Sequence, residues 1–122
     1  MRAYRLGNIE VMANDYYLGE RYKGILHITW RDYLTPSPHL AGMKRDGWRV
    51  PTDKESSYLY GLRMMDLLGF SHMENQYGNY FIDPGVIDRF YHSSSRIRNF
   101  SSGLIHHSNG RELAMLRLVR SI

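Results

Sequence analysis

One stretch near the C-terminus combines the residue types that bind anionic macromolecules. It interleaves arginines with aromatic and short hydroxyl side chains, and its candidate contact residues are Tyr91, His92, Arg96, Arg98 and Phe100. No acidic residue occurs between Asp88 and Glu112. Guanidinium groups pair with phosphate or carboxylate, hydroxyl groups supply further phosphate contacts, and aromatic rings stack on unpaired bases. The stretch therefore predicts a surface for nucleic acid or for an acidic protein.

Positive charge continues from this stretch to the end of the sequence. Five further candidate contact residues are His106, His107, Arg111, Arg117 and Arg120. Residues 89–122 contain six arginines and a single acid, whereas residues 1–88 contain ten basic and eleven acidic residues. The formal net charge of +4 is thus concentrated near the C-terminus. A local concentration of positive charge attracts polyanions or acidic protein surfaces. We expect these side chains to gather on one accessible patch.

A second chemistry is open to the same residues, namely metal-independent cleavage of RNA. This reaction requires a base for the 2′-hydroxyl proton, an acid for the leaving oxygen and cations that stabilise the phosphorane. The residues close enough in sequence to supply these groups are Tyr91, His92, Arg96, Arg98, His106 and His107. A small endoribonuclease of toxin type is therefore the alternative to a non-enzymatic binding protein.

Other patterns that would carry chemistry are missing from the sequence. The chain has no cysteine, which excludes disulfides and thiolate zinc sites. It has no glycine-rich fingerprint of a phosphate-binding or dinucleotide-binding loop. We predict no cofactor and no metal site.

A nine-residue segment in the middle of the chain resembles a segment of a known protein family. Residues 47–55, GWRVPTDKE, resemble the Gly-Trp-Arg-Leu-Pro-Thr-x-x-Glu segment of formylglycine-generating-enzyme-like lectin folds. Those domains are much longer, and their later tryptophan-rich strands have no counterpart in this sequence. We interpret the string as a turn followed by a helix-capping box, which explains the same residues locally.

Length and composition indicate one folded domain over residues 1–122. The chain is 43% hydrophobic and 13% aromatic, as is typical of a globular protein. No stretch approaches the roughly 18 apolar residues of a membrane span, and residues 1–19 lack the apolar centre of a signal peptide. We therefore expect a cytoplasmic protein without a membrane partner, while the sequence does not indicate its oligomeric state. In size and lack of motifs it resembles phage-encoded inhibitors of host defence, such as anti-CRISPR proteins.

The first predicted helix runs from Asp53 to Leu68. Thr52 and Glu55 form a Thr-x-x-Glu capping box at its start, and Gly69 can end it in the left-handed conformation. Helical spacing predicts a buried face made of Tyr58, Leu59, Leu62 and Met65.

A second helix is predicted to begin at Asp83 and to continue to Ser95. Asp83 is a favourable capping residue, and Pro84 at the first helical position loses no hydrogen bond. The C-terminal segment has two interpretations. Asn109 can cap a helix over Arg111–Arg120, which we favour because the segment is rich in helix formers, or residues 108–110 can form a hairpin turn.

Alternation of apolar and polar residues predicts several short strands. They are Asn8–Met12, Lys23–Trp30, Phe70–Met73 and Asn79–Ile82. We expect the first two to form a hairpin with a long connection and the last two to pair with each other. The predicted fold is a small single α+β domain in which a short antiparallel sheet packs against two or three helices. Residues 35–50 and 92–111 are expected to be exposed.

Overall fold

The computed structural model describes residues 2–16, 20–22, 25–62, 68–70, 72–73, 76–85 and 95–122, of which 20–22, 25–26 and 72–73 are described for the backbone alone. Helices and small antiparallel sheets both occur, which confirms the predicted α+β class. The helices in these residues are α1 (Trp30–Leu34), α2 (Pro38–Arg45) and α3 (Asp53–Gly61). The strands are β1 (Ala3–Leu6), β2 (Ile9–Met12), β3 (Glu20–Tyr22), β4 (Ile25–Thr29), β5 (His72–Met73), β6 (Gln76–Tyr77), β7 (Asn79–Ile82), β8 (Ser95–Asn99), β9 (Ile105–Ser108), β10 (Leu113–Ala114) and β11 (Val119–Ser121). No described helix has the length and apolar character needed to cross a bilayer.

The described strands are divided among several small sheets. Three sheets have three strands each, in the orders β1-β2-β11, β10-β4-β3 and β7-β8-β9, and β5 pairs with β6. The predicted hairpin of residues 8–12 with 23–30 is wrong, because β2 and β4 lie in different sheets. The predicted pairing of residues 70–73 with 79–82 is also wrong, because β7 pairs with β8. The strands were predicted from local alternation, whereas their partners depend on segments far away in the sequence.

Two apolar clusters form the interior of the described residues. The first core consists of Tyr16, Ile28, Trp30, Tyr33, Leu40, Met43, Trp48, Val50, Phe81, Ile97, Ala114, Leu116 and Leu118. The second core consists of Ile9, Val11, Leu59, Leu68, Phe70, Tyr80, Phe100, Met115 and Val119. The sheet β1-β2-β11 lies between them, because Ile9 and Val11 face the second core and Met12 packs against the first.

The C-terminal segment is extended, so the favoured helix over Arg111–Arg120 is wrong. Residues 114–119 are all buried, and their side chains alternate between the two cores: the even-numbered ones enter the first core, while Met115 and Val119 enter the second. A strand buried on both faces has a continuous apolar sequence, and this burial outweighs the helix propensity of Leu, Ala and Met. The alternative hairpin is not formed either, because β9 pairs with β8 and β10 pairs with β4.

Helix α3 begins at the predicted residue. Thr52 Oγ1 accepts a hydrogen bond from the Glu55 amide at 3.1 Å, and Glu55 Oε1 accepts one from the Thr52 amide at 2.9 Å. Both halves of the capping box are therefore present, and they satisfy two amides of the first turn.

The later part of α3 differs from the prediction. The helix ends at Gly61, and its buried residues are Ser56 and Leu59. Tyr58 is 51% exposed and Leu62 is also exposed, whereas Met65 lies outside the described residues. The predicted buried face is therefore confirmed for Leu59 and wrong for Tyr58 and Leu62, because the buried side of the helix carries Ser56, which Arg98 of β8 contacts.

Residues 35–50, predicted to be exposed, contain a helix and several buried side chains. Pro38 lies in the first turn of α2, where the missing N–H of proline costs no hydrogen bond. Four side chains of this region are buried in the first core: Leu40, Met43, Trp48 and Val50. The proline-rich sequence therefore starts a helix that covers the core.

The predicted second helix lies mostly outside the described residues, which resume at Ser95. Its proposed cap Asp83 accepts a hydrogen bond from the Gly85 amide at 2.7 Å. Ser95, where this helix was predicted to end, begins β8. The expected exposure of residues 92–111 is wrong for Ser95, Ile97, Arg98 and Phe100, which are buried.

Candidate functional site

Strand β8 directs Arg96 and Arg98 to one face of its sheet, toward the start of α3. Successive side chains alternate across a strand, so Ile97 between them enters the first core instead. Both guanidinium groups reach the first residue of the helix. Arg96 Nη2 lies 2.8 Å from Asp53 Oδ2, and Arg98 Nη2 lies 2.6 Å from Asp53 Oδ1.

Arg98 is buried and connects α3 to the loop after β8. Its Nε donates to Ser56 Oγ at 2.8 Å, and its Nη2 also donates to Ser57 Oγ at 2.9 Å. Its Nη1 donates to the Gly103 carbonyl. These contacts engage all three nitrogens of a buried guanidinium group, so Arg98 has a structural role within the fold.

Arg117 lies in the segment between β10 and β11 and is buried, with 1% of its surface exposed. Its Nε and Nη2 donate to Asp15 Oδ1 at 3.0 and 2.6 Å, and its guanidinium carbon lies 4.3 Å from the ring centroid of Phe70. Further donors reach the backbone carbonyls of Met12, Leu68 and Gly69. A buried guanidinium requires such partners, because an unpaired buried charge is very unfavourable.

Arg120 on β11 lies directly opposite Glu10 on β2. Its Nη2 and Nε donate to Glu10 Oε1 at 3.0 and 3.3 Å, as expected for cross-strand neighbours in register. Its guanidinium carbon also lies 4.5 Å from the ring centroid of Trp48. Arg120 therefore remains only partly accessible.

These ion pairs change the interpretation of the C-terminal charge. Arg96, Arg98, Arg117 and Arg120 all pair with carboxylates from residues 1–88. The expected gathering of their charges on one accessible patch is therefore wrong. One positive charge remains in excess beside Asp53, because two guanidinium groups share a single carboxylate.

Two of the predicted aromatic and histidine contacts lie outside the described residues, namely Tyr91 and His92. Phe100, a third predicted contact, is buried in the second core, where its ring stacks on Phe70 at a centroid distance of 4.8 Å. Phe100 therefore stabilises the fold and is inaccessible to bases.

The remaining predicted residues, His106, His107 and Arg111, are exposed on residues 101–112, which we call the turn surface. His106 Nε2 lies 3.0 and 3.3 Å from the two carboxylate oxygens of Glu112. His107 is directed to the opposite face of β9, where its register partner is Arg96. The two histidines are adjacent in sequence but do not converge on one site.

The start of the turn surface is held by hydrogen bonds within the chain. Asn99 Oδ1 accepts from the amides of Ser101 and Ser102 at 2.9 and 2.8 Å, and the Gly103 amide donates to the Asn99 carbonyl at 2.8 Å. The Tyr60 hydroxyl donates to the Ser101 carbonyl at 3.3 Å. Leu104 follows this ordered turn with 72% of its surface exposed.

A cavity of about 390 Å³ lies between the β1–β2 turn and α3, and no pattern in the sequence indicated it. Its apolar walls include Leu6, Ile9 and Tyr58, and Lys54 stands at its side. Glu55 also lines the cavity, but Arg49 holds this carboxylate at 2.7 and 3.0 Å. Hydrogen bonds from Arg49 lower the pKa of Glu55, while partial burial opposes them.

Within the described residues, no three acidic or histidine side chains are grouped closely enough to hold a metal ion. No protein-family model matches this chain, and no curated protein matches it.

Proposed function

We propose that the protein is a non-enzymatic binding protein that engages nucleic acid, or a protein complex that handles nucleic acid, through the turn surface. The supporting observation is that this surface keeps three predicted contact residues accessible: His106, His107 and Arg111. Other predicted contacts, such as Arg98 and Phe100, stabilise the interior.

The chemistry of the turn surface favours an anionic partner. Arg111 is exposed, and the excess positive charge of the Arg96–Arg98–Asp53 cluster lies on the face that carries His107. The exposed Ser102 hydroxyl, which accepts from the Leu104 amide, can add a hydrogen-bond donor, and hydroxyl and guanidinium groups are common phosphate contacts. If the partner is instead a protein complex that handles nucleic acid, which we call the protein-complex form of the proposal, the turn surface occupies a site on that complex that normally receives nucleic acid, and the protein acts as an inhibitor.

Binding of single-stranded oligonucleotides at several salt concentrations tests this proposal. Arg111→Ala should lower the affinity and reduce the slope of log affinity against log salt by about 0.7, because one phosphate contact is lost. Arg31→Ala, which removes an exposed arginine on α1, is the matched control and should leave the slope unchanged. Arg96 and Arg98 are unsuitable for this test, because their loss would also uncouple α3 from β8.

The protein-complex form gives a different result in the same assay. It predicts no affinity for free oligonucleotides and a stoichiometric complex with a nucleic-acid-handling protein that Arg111→Ala weakens. The proposal fails if the Arg111→Ala variant behaves like the wild-type protein toward both kinds of partner.

The contact of His106 with Glu112 favours a second candidate function, metal-independent RNA cleavage. A carboxylate beside an imidazole can orient it as a general base. This candidate predicts RNA cleavage in EDTA that disappears with His106→Ala and decreases with Glu112→Gln. His39→Ala, which removes another exposed histidine, should retain it. Because His107 faces the other side of β9, it cannot act as the acid of the same site, which is why binding is the preferred function.

A further inference from the structure

We propose that the outer edge of β9 is a docking site for an extended acidic segment of a partner protein, which adds to the sheet as a further strand. This inference rests on the proposed function, because it specifies the class of partner that the turn surface receives.

The backbone of β9 supplies the first part of the argument. β9 is the last strand of the order β7-β8-β9, and no other described strand pairs with its outer edge. The Asn99 amide donates to the Leu104 carbonyl at 2.9 Å, which makes residues 99 and 104 a hydrogen-bonded pair of the antiparallel ladder. Such pairs alternate along the ladder, so the amides and carbonyls of Ile105 and His107 point away from β8. An edge of this kind binds extended chains through main-chain hydrogen bonds.

Leu104 supplies an apolar anchor next to this edge. The turn before it is fixed by the two hydrogen bonds of Asn99 Oδ1 and by the Tyr60 hydroxyl. A side chain presented by a rigid turn loses little conformational entropy on binding. Because Leu104 is 72% exposed, a partner side chain can bury it without any rearrangement of the turn.

Charge identifies the occupant as acidic. The cluster of Arg96, Arg98 and Asp53 has one excess positive charge on the face shared with His107, and Arg111 is exposed nearby in sequence. The one acid of the turn surface, Glu112, contacts His106, whose ring lies on the opposite face of β9. A second copy of this chain would place two such positive edges against each other, which is unfavourable. A nucleic acid has no peptide groups that could continue the ladder of β9. An acidic polypeptide satisfies both the charge and the main-chain hydrogen bonds.

A peptide selection combined with amide exchange tests this inference. The probe is a displayed library of ten-residue peptides with Glu at alternate positions and randomised apolar residues between them, compared with the same library carrying Lys. The Glu library should yield binders and the Lys library none. In the complex, the amides of Ile105 and His107 should exchange at least about tenfold more slowly.

Matched variants locate the binding site. Leu104→Ser should weaken the selected peptides by at least about fivefold, whereas Leu34→Ser, which changes an exposed leucine of α1, should have no such effect. N-methylation of the peptide amides that face β9 should abolish binding, because it removes the ladder donors. Circular dichroism of both variants confirms that they remain folded.

Each outcome bears on the inference. Binding without protection of the Ile105 and His107 amides, preference for the Lys library, or insensitivity to Leu104→Ser would overturn it. If an oligonucleotide binds the turn surface and no acidic peptide does, this inference fails while the proposed function stands. If neither probe binds, this inference fails, and the proposed function is then decided by the Arg111→Ala test with a nucleic-acid-handling protein.

Discussion

The guanidinium group of Arg117 and the carboxylate of Asp15 form a buried ion pair across 102 positions of the sequence. The hydroxyl of Tyr80 donates to the second oxygen of the same carboxylate at 2.7 Å. The pair therefore connects the segment after β2, the C-terminal strand region and β7. Arg117, which the sequence predicted to be a surface contact, instead pairs with a carboxylate inside the protein.

Removal of Asp15 should strongly destabilise the fold. Asp15→Ala leaves the Arg117 charge buried without its counter-ion, so the free energy of unfolding should fall by about 3–5 kcal/mol. Urea unfolding measures this change, and Asp32→Ala, at an exposed acid of α1, should stay within about 0.5 kcal/mol of the wild type. Arg117→Met added to Asp15→Ala should recover part of the loss, because the unpaired charge is removed. A double variant less stable than Asp15→Ala would contradict this account of the pair.

The Arg49–Glu55 pair should contribute to the acid sensitivity of the protein. Arg49 lowers the folded-state pKa of Glu55 below its ordinary value of 4.5, so the ionised form stabilises the fold above that pH. This contribution is lost as the pH falls through the lower folded-state pKa. Glu55→Gln should therefore lower the free energy of unfolding by about 0.5–1 kcal/mol at pH 7. Between pH 6 and pH 3, the variant should lose less stability than the wild type does.

Urea unfolding of the wild type and the variant at pH 7, pH 6 and pH 3 checks this prediction. Arg49→Gln provides a second test, because it removes the main cause of the lowered pKa while leaving the carboxylate in place. Equal losses of stability on acidification in the wild type and in both variants would show that the pair does not contribute.

Gly103 should tolerate substitution less well than Gly7. Both have positive φ angles, of +78° and +61°, so alanine costs about 1–2 kcal/mol at either position. At Gly103 the added Cβ would also lie 2.6 Å from the Tyr60 ring, whereas nothing lies within 4 Å at Gly7. Gly103→Ala should thus be more destabilising by about 1–3 kcal/mol, as measured by thermal unfolding. Equal effects of the two substitutions would mean that Tyr60 moves aside freely.

Adjacent residues of α3 should respond very differently to truncation. Leu59 is 1% exposed in the second core, so Leu59→Ala should lower the free energy of unfolding by about 2–5 kcal/mol. Tyr58 points outward, and Tyr58→Ala should change the free energy of unfolding by less than about 0.5 kcal/mol. Chemical denaturation of the two variants measures both changes. A large effect of Tyr58→Ala would restore the buried face predicted from helical spacing.

Part of the fold could be predicted because its determinants are local. The capping box of Thr52 and Glu55 spans one helical turn, so the start of α3 can be predicted from the four residues 52–55. The strands at residues 9–12 and 25–29 likewise follow from the alternation of neighbouring side chains. The α+β class follows from the presence of both kinds of element.

The candidate site was less predictable, because the partners of its arginines are distant. The number of C-terminal arginines is visible in the sequence, but Asp53 and Glu10 are not recognisable as their counter-ions. Arg120 and Glu10 are 110 positions apart and meet only because β11 pairs with β2. Ion pairs of this range depend on strand pairing, which local patterns do not specify.

The sequence by itself determined where the capped helix starts, that residues 9–12, 25–29 and 79–82 form strands, and how strongly the positive charge is biased toward the C-terminus. These properties depend on residue type and on hydrogen bonds within a few residues. The tertiary structure alone decided that residues 114–119 run between two cores and that most of the described C-terminal arginines are neutralised. The physical reason is that burial and ion pairing need groups from remote segments, whose approach depends on the packing of the entire chain.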